Sequence, residues 1–506
     1  VRVKEVLHPV SRSVAPSGEI IYDFGQNFAG VICARLRGKR GQEVVFRHAE
    51  VLVDGELFVK SLRTAKATAT YICTDGEQEY SPRLTYMGFR YVGVRGIDAE
   101  DLELRAFALH SDFEEVGEFA CSNELINRLH SNIRWSGKSN FVDIPTDCPQ
   151  RDERQGWTGD IAVFARTACF LFDLGRFLDK WLCDMRAEQG RGGGIPMVVP
   201  RGGDAWPVMA TSVWGDSCVL VPWAEYLARG DVELLRRQYP TIRKFLRAAK
   251  WWAGFLSFTP NGRHIWKYPF HFGDWCAPGE NVRQWMKKGK WIATCYFANS
   301  CGIAARMAEL LGYEEDAADY RRLRGRIVRA FREVFTDGRG RLKKEFQTGY
   351  ALPLAFGMTE GVETEMMASR LASLVREAGN RLTTGFSGTP VLLFALSDHG
   401  HADAAYDLLL QEECPSWLYE VKAGGTTTWE RWDALRPDGT VNIGELRGKG
   451  SDEESGGGMG SGGHMNTGGT GNNAASPKTS TSAKTTTSSK ARSVGRDASG
   501  AKDHAD

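Results

Sequence analysis

The chain has no surplus of charge: 64 lysines and arginines stand against 63 aspartates and glutamates, a formal net charge of +1. Without a field of one sign, neither nucleic acid nor an anionic membrane is an expected partner. No apolar run reaches the roughly 18–20 residues that span a bilayer, so no membrane segment is expected. The chain opens on Val1, with neither Met nor a signal-like apolar stretch, which suits a fragment or a processed form. Its eleven cysteines are odd in number and show no CxxC spacing. Reduced, mostly buried thiols in a cytoplasmic protein are therefore expected, not a disulfide framework or a zinc site. The histidines form no HxxxH pair, no GxxxxGK loop appears, and no GxSxG elbow is present. The segment GFSGT around Ser387 comes nearest, without the context of an elbow.

What is present is a core: the chain is 42% hydrophobic and 11% aromatic over 506 residues. Residues 1–112 read as β structure. GVICARL, EVVFRHAEV, ATATYICT and RYVGVRGI are short, β-branched and aromatic, and turn signals separate them, the pattern of a sandwich. Residues 113–445 read as helices in succession. CSNELINRLHSNIRWS sets Leu125, Ile126, Leu129 and Ile133 at helical spacing behind a Ser122 cap, and later segments repeat the pattern, which predicts antiparallel helical hairpins. Residues 446–506 are glycine, serine, threonine and lysine with almost nothing apolar; a stretch that buries so little surface is expected to be disordered.

Polar residues gather in the connections. DIPTDCPQRDERQGWTGD, from Asp143 to Asp160, predicts a helix start with Asp147 as cap and Pro149 in the first turn. Glu153, Trp157 and Asp160 then fall at i, i+4 and i+7, with Asp152 beside them, so one face carries an indole between two carboxyls. Sugar sites need those groups, because rings stack on pyranose C–H faces while acids bond hydroxyls. The plainer reading is a helix N-terminus whose acids suit the macrodipole and are balanced by Arg151 and Arg154. GGTTTWERWDAL sets Glu430 between Trp429 and Trp432, where partial desolvation is expected to raise its pKa. HFGDWCAPGE adds Asp274 and Trp275, and VWGDS adds Trp214 and Asp216; each alone reads as a capping Asp beside a core Trp. Together these segments suggest a pocket of indoles and carboxylates, and glycoside hydrolysis needs two carboxyls flanking one bond.

DCPQRDERQGWTGD, VLVPWAEYLARGD, FGDW, LTTGFSGTPVLLFAL, EECPSWLYEVKAGGTTTWERWD and PDGTVNIGE resemble the bacterial α-L-rhamnosidases of glycoside hydrolase family 78. YDFGQNFAGVICARLRG and SPRLTYMGFRYVGVRGI resemble that family's preceding β-sandwich domain, so the likeness covers residues 1 to about 445. The resemblance implies a mainly α chain, with a six-fold α/α-barrel catalytic domain behind a β-sandwich domain. It implies an inverting enzyme that removes terminal α-L-rhamnose, with Glu153 as general acid and Glu430 as general base. Asp147, Arg151, Trp157 and Asp160 would line the rhamnose subsite, with Trp214, Asp274, Trp275, Trp429 and Trp432 as further pocket residues. Glu153 would be protonated through burial and neighbouring acids, Glu430 ionised, and the two about 6.5–9.5 Å apart to admit a water. Indole walls would suit the C6 methyl of rhamnose, and no metal or organic cofactor is implied. The expected partners are rhamnose-containing glycosides; a homodimer is compatible with the sequence.

The family continues past PDGTVNIGE into helices carrying an SFNHYA-like motif and then a β domain, whereas GELRGKG here runs into the low-complexity tail. The expectation is a barrel without its closing helices that exposes apolar surface, and a tail that comes from a frameshift or truncation of the reading frame, the alternative being a tail that is a genuine part of the protein. The alternative is a degenerate, non-catalytic carbohydrate-binding protein. Retention of both Glu153 and Glu430 favours the enzyme; loss of the closing segment favours the binder.

Overall fold

The computed structural model describes residues 1–202, 208–255, 257, 259, 261–267 and 271–444. The tail at 446–506, with its expected disorder, lies outside the described residues.

Ten strands precede the first α-helix: β1 (Arg2–Leu7), β2 (Ser11–Val14), β3 (Ile20–Gly38), β4 (Glu43–Ala49), β5 (Leu52–Val53), β6 (Glu56–Leu57), β7 (Thr68–Ile72), β8 (Gly76–Tyr80), β9 (Met87–Arg95) and β10 (Leu102–His110). All but β5 and β6 join one eight-stranded sheet, in the order β1-β10-β3-β9-β4-β7, with β2 and β8 also on β3. The long β3 organises it. Its first part pairs with β2 and β9, its last part with β10 and β8. Apolar residues of β3, β4, β9 and β10 meet in one core, where Phe24, Phe28 and Phe89 stack edge-on or tilted. The four segments read as strands overlap β3, β4, β7 and β9.

Between Asp23 and Phe28 the register of β3 against β9 slips. Gly25 supplies the positive φ of +70° there, a conformation that side-chain-bearing residues avoid. The bulge turns Gln26 and Asn27 out of the ladder and toward the far end of the chain.

The helices are α1 (Glu124–Asn140), α2 (Thr158–Leu171), α3 (Gly175–Glu188), α4 (Ser217–Arg229), α5 (Val232–Gly254), α6 (Val282–Leu310), α7 (Glu314–Phe335), α8 (Gln347–Ala355), α9 (Val362–Glu377), α10 (Thr389–Ser397), α11 (Ala402–Leu409) and α12 (Trp417–Lys422). Chain neighbours pack as hairpins: α4 on α5, α6 on α7, α8 on α9 and α10 on α11. One apolar core runs through them, with Trp181, Trp266 and Tyr350 almost wholly buried. Asn123, not Ser122, caps α1, its side chain accepting from the N–H groups of Leu125 and Ile126. The last described helix, α12, packs on α1: Leu418 and Val421 bury Leu129. Among the described residues no helix is long and apolar enough to cross a membrane.

Candidate active site

The helix expected from Pro149 does not form there. Residues 147–157 are an irregular loop, and α2 begins at Thr158 with Trp157 at its N-cap. The loop is closed on itself: Asp147 N–H donates to the Gln155 carbonyl at 3.0 Å, and Gln155 N–H to Asp147 Oδ1 at 2.7 Å. Arg154 takes a φ of +53°, which no α-helix accommodates. The one-face argument from helical spacing therefore fails as geometry. The contact it sought is present nonetheless, because the loop brings Trp157 Nε1 to donate to Glu153 Oε1 at 2.8 Å.

Arg151 is the hub. Its Nε donates to Glu153 Oε2 at 3.1 Å, its Nη1 to Glu430 Oε2 at 2.8 Å and its Nη2 to Asp147 Oδ2 at 3.4 Å. A guanidinium is planar and permanently charged, so it holds three carboxyls in a fixed fan. Exposure rises across the fan: the side chain is 6% exposed for Asp147, 19% for Glu153 and 51% for Glu430. The site thus has a closed floor and an open lip.

The surroundings separate the acids. Burial, then the charge of Glu153, pushes Asp147 up to about 6, despite Arg151 and the Gln155 N–H. Burial also lifts Asp160 well above the ordinary carboxylate range, with Asp147 and Glu430 adding to it. Glu430 moves the other way. Burial alone would raise it, but the charge and hydrogen bond of Arg151, helped by Arg431 and Arg63, hold it below its ordinary value. The expectation that flanking indoles would raise it is therefore corrected. A cation outweighs desolvation, and half the Glu430 side chain stays in solvent.

The β domain supplies residues that nothing in the sequence marked. Arg63 Nη1 donates to Glu153 Oε2 at 2.8 Å, and the Thr64 N–H and hydroxyl both donate to Asp152. Asn27 Nδ2 donates to Glu50 Oε1 at 2.8 Å and to Thr427 Oγ1 at 3.1 Å. The carboxyl of Glu50, raised by burial, feels the charges of Arg151 and Glu430. The segment leading to Glu430 is pinned from both sides. Gln26 Nε2 donates to the Thr426 carbonyl, and Asn27 N–H to Thr426 Oγ1. Asn132 Nδ2 donates to the Gly425 carbonyl, Thr428 N–H to Ser136 Oγ, and Trp429 N–H to Glu420 Oε2.

Two carboxyls sharing one guanidinium beside an indole, on a scaffold of helical hairpins behind a β domain, suit acid–base hydrolysis of a sugar. Residues 114–472 match the bacterial alpha-L-rhamnosidase six-hairpin glycosidase domain, and residues 13–111 the concanavalin-like domain of the same proteins. The chain belongs to the bacterial α-L-rhamnosidase family. It is 40% identical over 451 residues to an alpha-L-rhamnosidase of Streptomyces avermitilis, covering 88% of this chain and 42% of that one. An alpha-L-rhamnosidase of Alteromonas sp. is 35% identical, over 86% of this chain and 47% of its own length. The crystal structure of the Streptomyces avermitilis enzyme complexed with L-rhamnose superposes with a TM-score of 0.81 at 38% identity, over 87% of this chain and 41% of that one. The Aspergillus terreus enzyme gives 0.82 at 37% identity, over 88% and 52%. The chain spans less than half the length of these two curated relatives.

The other sequence-marked residues of the chain lie as follows. Trp275 packs edge-on against Phe272, which also meets Trp157, so these rings continue the aromatic wall of the site. Trp214 is only 4% exposed and stacks on Phe386; Asp274 is 0% exposed and accepts from Thr348 Oγ1 at 2.6 Å. Both support the wall from behind and offer no open surface. Asp216 is likewise enclosed, bonded to Ser300 Oγ and the Val213 N–H. Trp429 packs on Tyr419 and Trp432 on Trp417, so the indoles flanking Glu430 brace its segment. Asp147, Cys148 and Glu153 bring possible ligand atoms within 4.8 Å of one another. Arg151, bonded to both carboxylates, already supplies the counter-charge that a metal would bring there.

Proposed function

We propose that this chain is the catalytic part of an inverting α-L-rhamnosidase that removes terminal, non-reducing α-L-rhamnose from glycosides. The observation that carries the reading is the Arg151 fan, which holds Glu153 and Glu430 on one guanidinium at 3.1 and 2.8 Å. Glu153 acts as general acid: it protonates the departing glycosidic oxygen while Trp157 Nε1 and Arg63 orient its carboxyl. Glu430 acts as general base, for which a carboxyl held ionised and open to solvent is suited; it takes a proton from the water that attacks the anomeric carbon from the opposite face. Asp147, Arg151 and Asp160 bind the sugar hydroxyls, and the Trp157, Phe272 and Trp275 wall meets its apolar side. Rhamnose-containing glycosides are the substrates, with no metal or organic cofactor in any step. Eleven unpaired cysteines, most of them buried, suit a reducing cytoplasmic setting.

The test is release of p-nitrophenol from its α-L-rhamnoside by the wild type, Glu153→Gln and Glu430→Gln, each first checked for folding. Wild-type turnover with both variants down by about 10²–10⁴ supports the pair, and proton NMR of the first-formed sugar should show the β anomer. A folded wild type that binds rhamnose without turnover would instead establish a non-catalytic binder.

A further inference from the structure

Arg431 follows the proposed base in the chain, and its guanidinium is held between two surfaces. On one side its Cζ lies 5.5 Å from the centroid of the Trp285 ring. That ring is 1% exposed, donates through Nε1 to the Ala277 carbonyl at 3.0 Å and packs on Trp275, part of the aromatic wall. On the other side the backbone at Gly444 comes so close that a Cβ there would meet Nη2, Cζ and Nε of Arg431 at 2.6–2.8 Å. Among the described residues the guanidinium forms no ion pair with a carboxylate.

A hairpin behind the base brings Gly444 there. Residues 433–444 turn back on themselves: Leu435 bridges Val441, the Arg436 N–H donates to the Thr440 carbonyl at 2.9 Å, and the Asn442 N–H to the Ala434 carbonyl at 2.8 Å. Asn442 locks the end, its Nδ2 donating to Asp433 Oδ2 at 2.9 Å and its Oδ1 accepting from the Gly444 N–H at 3.0 Å. The Tyr419 hydroxyl ties the hairpin to α12 by donating to the Leu435 carbonyl at 2.8 Å. Gly444 takes a φ of +77°, so both the backbone and the clearance require glycine.

A long cationic side chain on a free segment samples many rotamers, and its charge acts on a carboxyl only from close by. The groups that face Glu430 are Arg151, Arg63, Arg431, the acids Asp160 and Glu50, and the buried Cys276 thiol. Of the three cations, Arg151 and Arg63 also pair with Glu153, whereas Arg431 does not. Arg431 therefore gives the base a charge that does not depend on whether the acid carries its proton.

We propose that the hairpin 433–444 is a positioning element for the base: it clamps the Arg431 guanidinium against Trp285 and so fixes the charge that faces Glu430. The inference rests on the proposed base role of Glu430. It makes Arg431 and Gly444 positioning residues, which act on the reaction through Glu430 alone.

The experiment compares the full wild-type chain with Arg431→Met, Arg431→Lys, Gly444→Ala and Gly439→Ala. Ionisation of Glu430 is read by carbon NMR of chain labelled with carboxyl-labelled glutamate, its signal assigned by its absence in Glu430→Gln. The pH profile of kcat/KM on p-nitrophenyl α-L-rhamnoside is followed beside it. Arg431→Met should move the Glu430 midpoint and the acidic limb to higher pH together. On that limb kcat/KM should fall about five- to tenfold, as loss of one charge contact at a half-exposed site gives. Arg431→Lys restores the charge without the flat stack and should recover part of the shift. In Gly444→Ala the added methyl displaces the guanidinium, because the far end of a long side chain yields before backbone does, so the midpoint should rise although no charge has been removed. Gly439→Ala is the control: it strains the same hairpin at a φ of +83°, with nothing within 4 Å of the added methyl, and should leave the midpoint in place. An unmoved midpoint in Arg431→Met or in Gly444→Ala overturns the inference. So does an equal shift in Gly439→Ala, which would assign the effect to backbone strain. Full turnover by Glu430→Gln would sink the base reading alone, because the NMR titration still decides the clamp.

Discussion

Removing the guanidinium of Arg151 while keeping its bulk, as in Arg151→Met, tests the central geometry. Three contacts are lost at once, to Asp147, Glu153 and Glu430. Breaking a buried ion network by deleting one partner costs about 3–5 kcal/mol. Here the figure is smaller, because Glu430 is 51% exposed and Glu153 keeps Arg63. A loss of about 1–3 kcal/mol is expected from urea unfolding. The effect on ionisation is more diagnostic. With Arg151 gone, burial of Glu430 is opposed only by Arg431 and Arg63, so its pKa rises. Asp147, already at about 6, moves higher still. A base works only when ionised, so the acidic limb of the kcat/KM profile on an aryl α-L-rhamnoside must shift to higher pH, and the plateau must fall by at least about 10². Arg151→Lys returns the charge without the planar fork; it should recover the limb and only part of the rate. If Arg151→Met lowers the rate but leaves the acidic limb where it was, Arg151 does not set the ionisation of Glu430, and the reasoning fails.

Trp157→Phe keeps the ring and deletes the donor to Glu153 Oε1; kcat should fall about tenfold with KM little changed, separating orientation of the acid from stacking on the sugar. Glu420 is 0% exposed and burial pushes its carboxyl up to about 8 from 4.5, so the folded chain binds the extra proton between those values and stability falls as pH rises from about 4.5 to about 8. Glu420→Gln, which mimics the protonated acid, should gain a few kcal/mol relative to wild type between pH 5 and pH 8.5 in urea melts; a difference that does not change with pH contradicts this. Gly159→Ala would put a methyl 2.5 Å from the Trp214 ring, so unfolding stability should drop by about 1–3 kcal/mol.

Elements governed by local patterns were legible in the sequence. The apolar spacing of Leu125, Leu129 and Ile133 lies within α1, and the β-branched runs overlap β3, β4, β7 and β9. Where a distant contact overrides a local signal, the reading failed. Asp147 and Pro149 carry the marks of a helix start, yet the Asp147–Gln155 closure and the left-handed Arg154 make a loop. The ionisation of Glu430 was misjudged from its flanking tryptophans because the deciding charge, Arg151, lies 279 residues away in the chain. Arg63, Thr64, Asn27 and Glu50 sit in stretches that read only as strand and turn. Their role exists through pairings such as Arg63 with Glu153, 90 residues apart, and Asn27 with Thr427, 400 apart. No periodicity reports those.

These long pairings make the β domain part of the machinery. The proposed base sits on a segment with little regular structure, and a carboxyl on a free loop would sample many positions. It is held because the bulge in β3 presents Gln26 and Asn27 to Thr426 and Thr427, while α1 presents Asn132 and Ser136 to Gly425 and Thr428. Gln26 and Asn132 are themselves 8% and 0% exposed, so displacing the segment would strand their buried amides at about 1–3 kcal/mol each. Arg63, on the connection that precedes β7, applies the same logic to the proposed acid. Acid and base are therefore positioned by one sheet through two separate loops, and a strain introduced at the Gly25 bulge should reach Glu430 while leaving the Arg63–Glu153 contact intact.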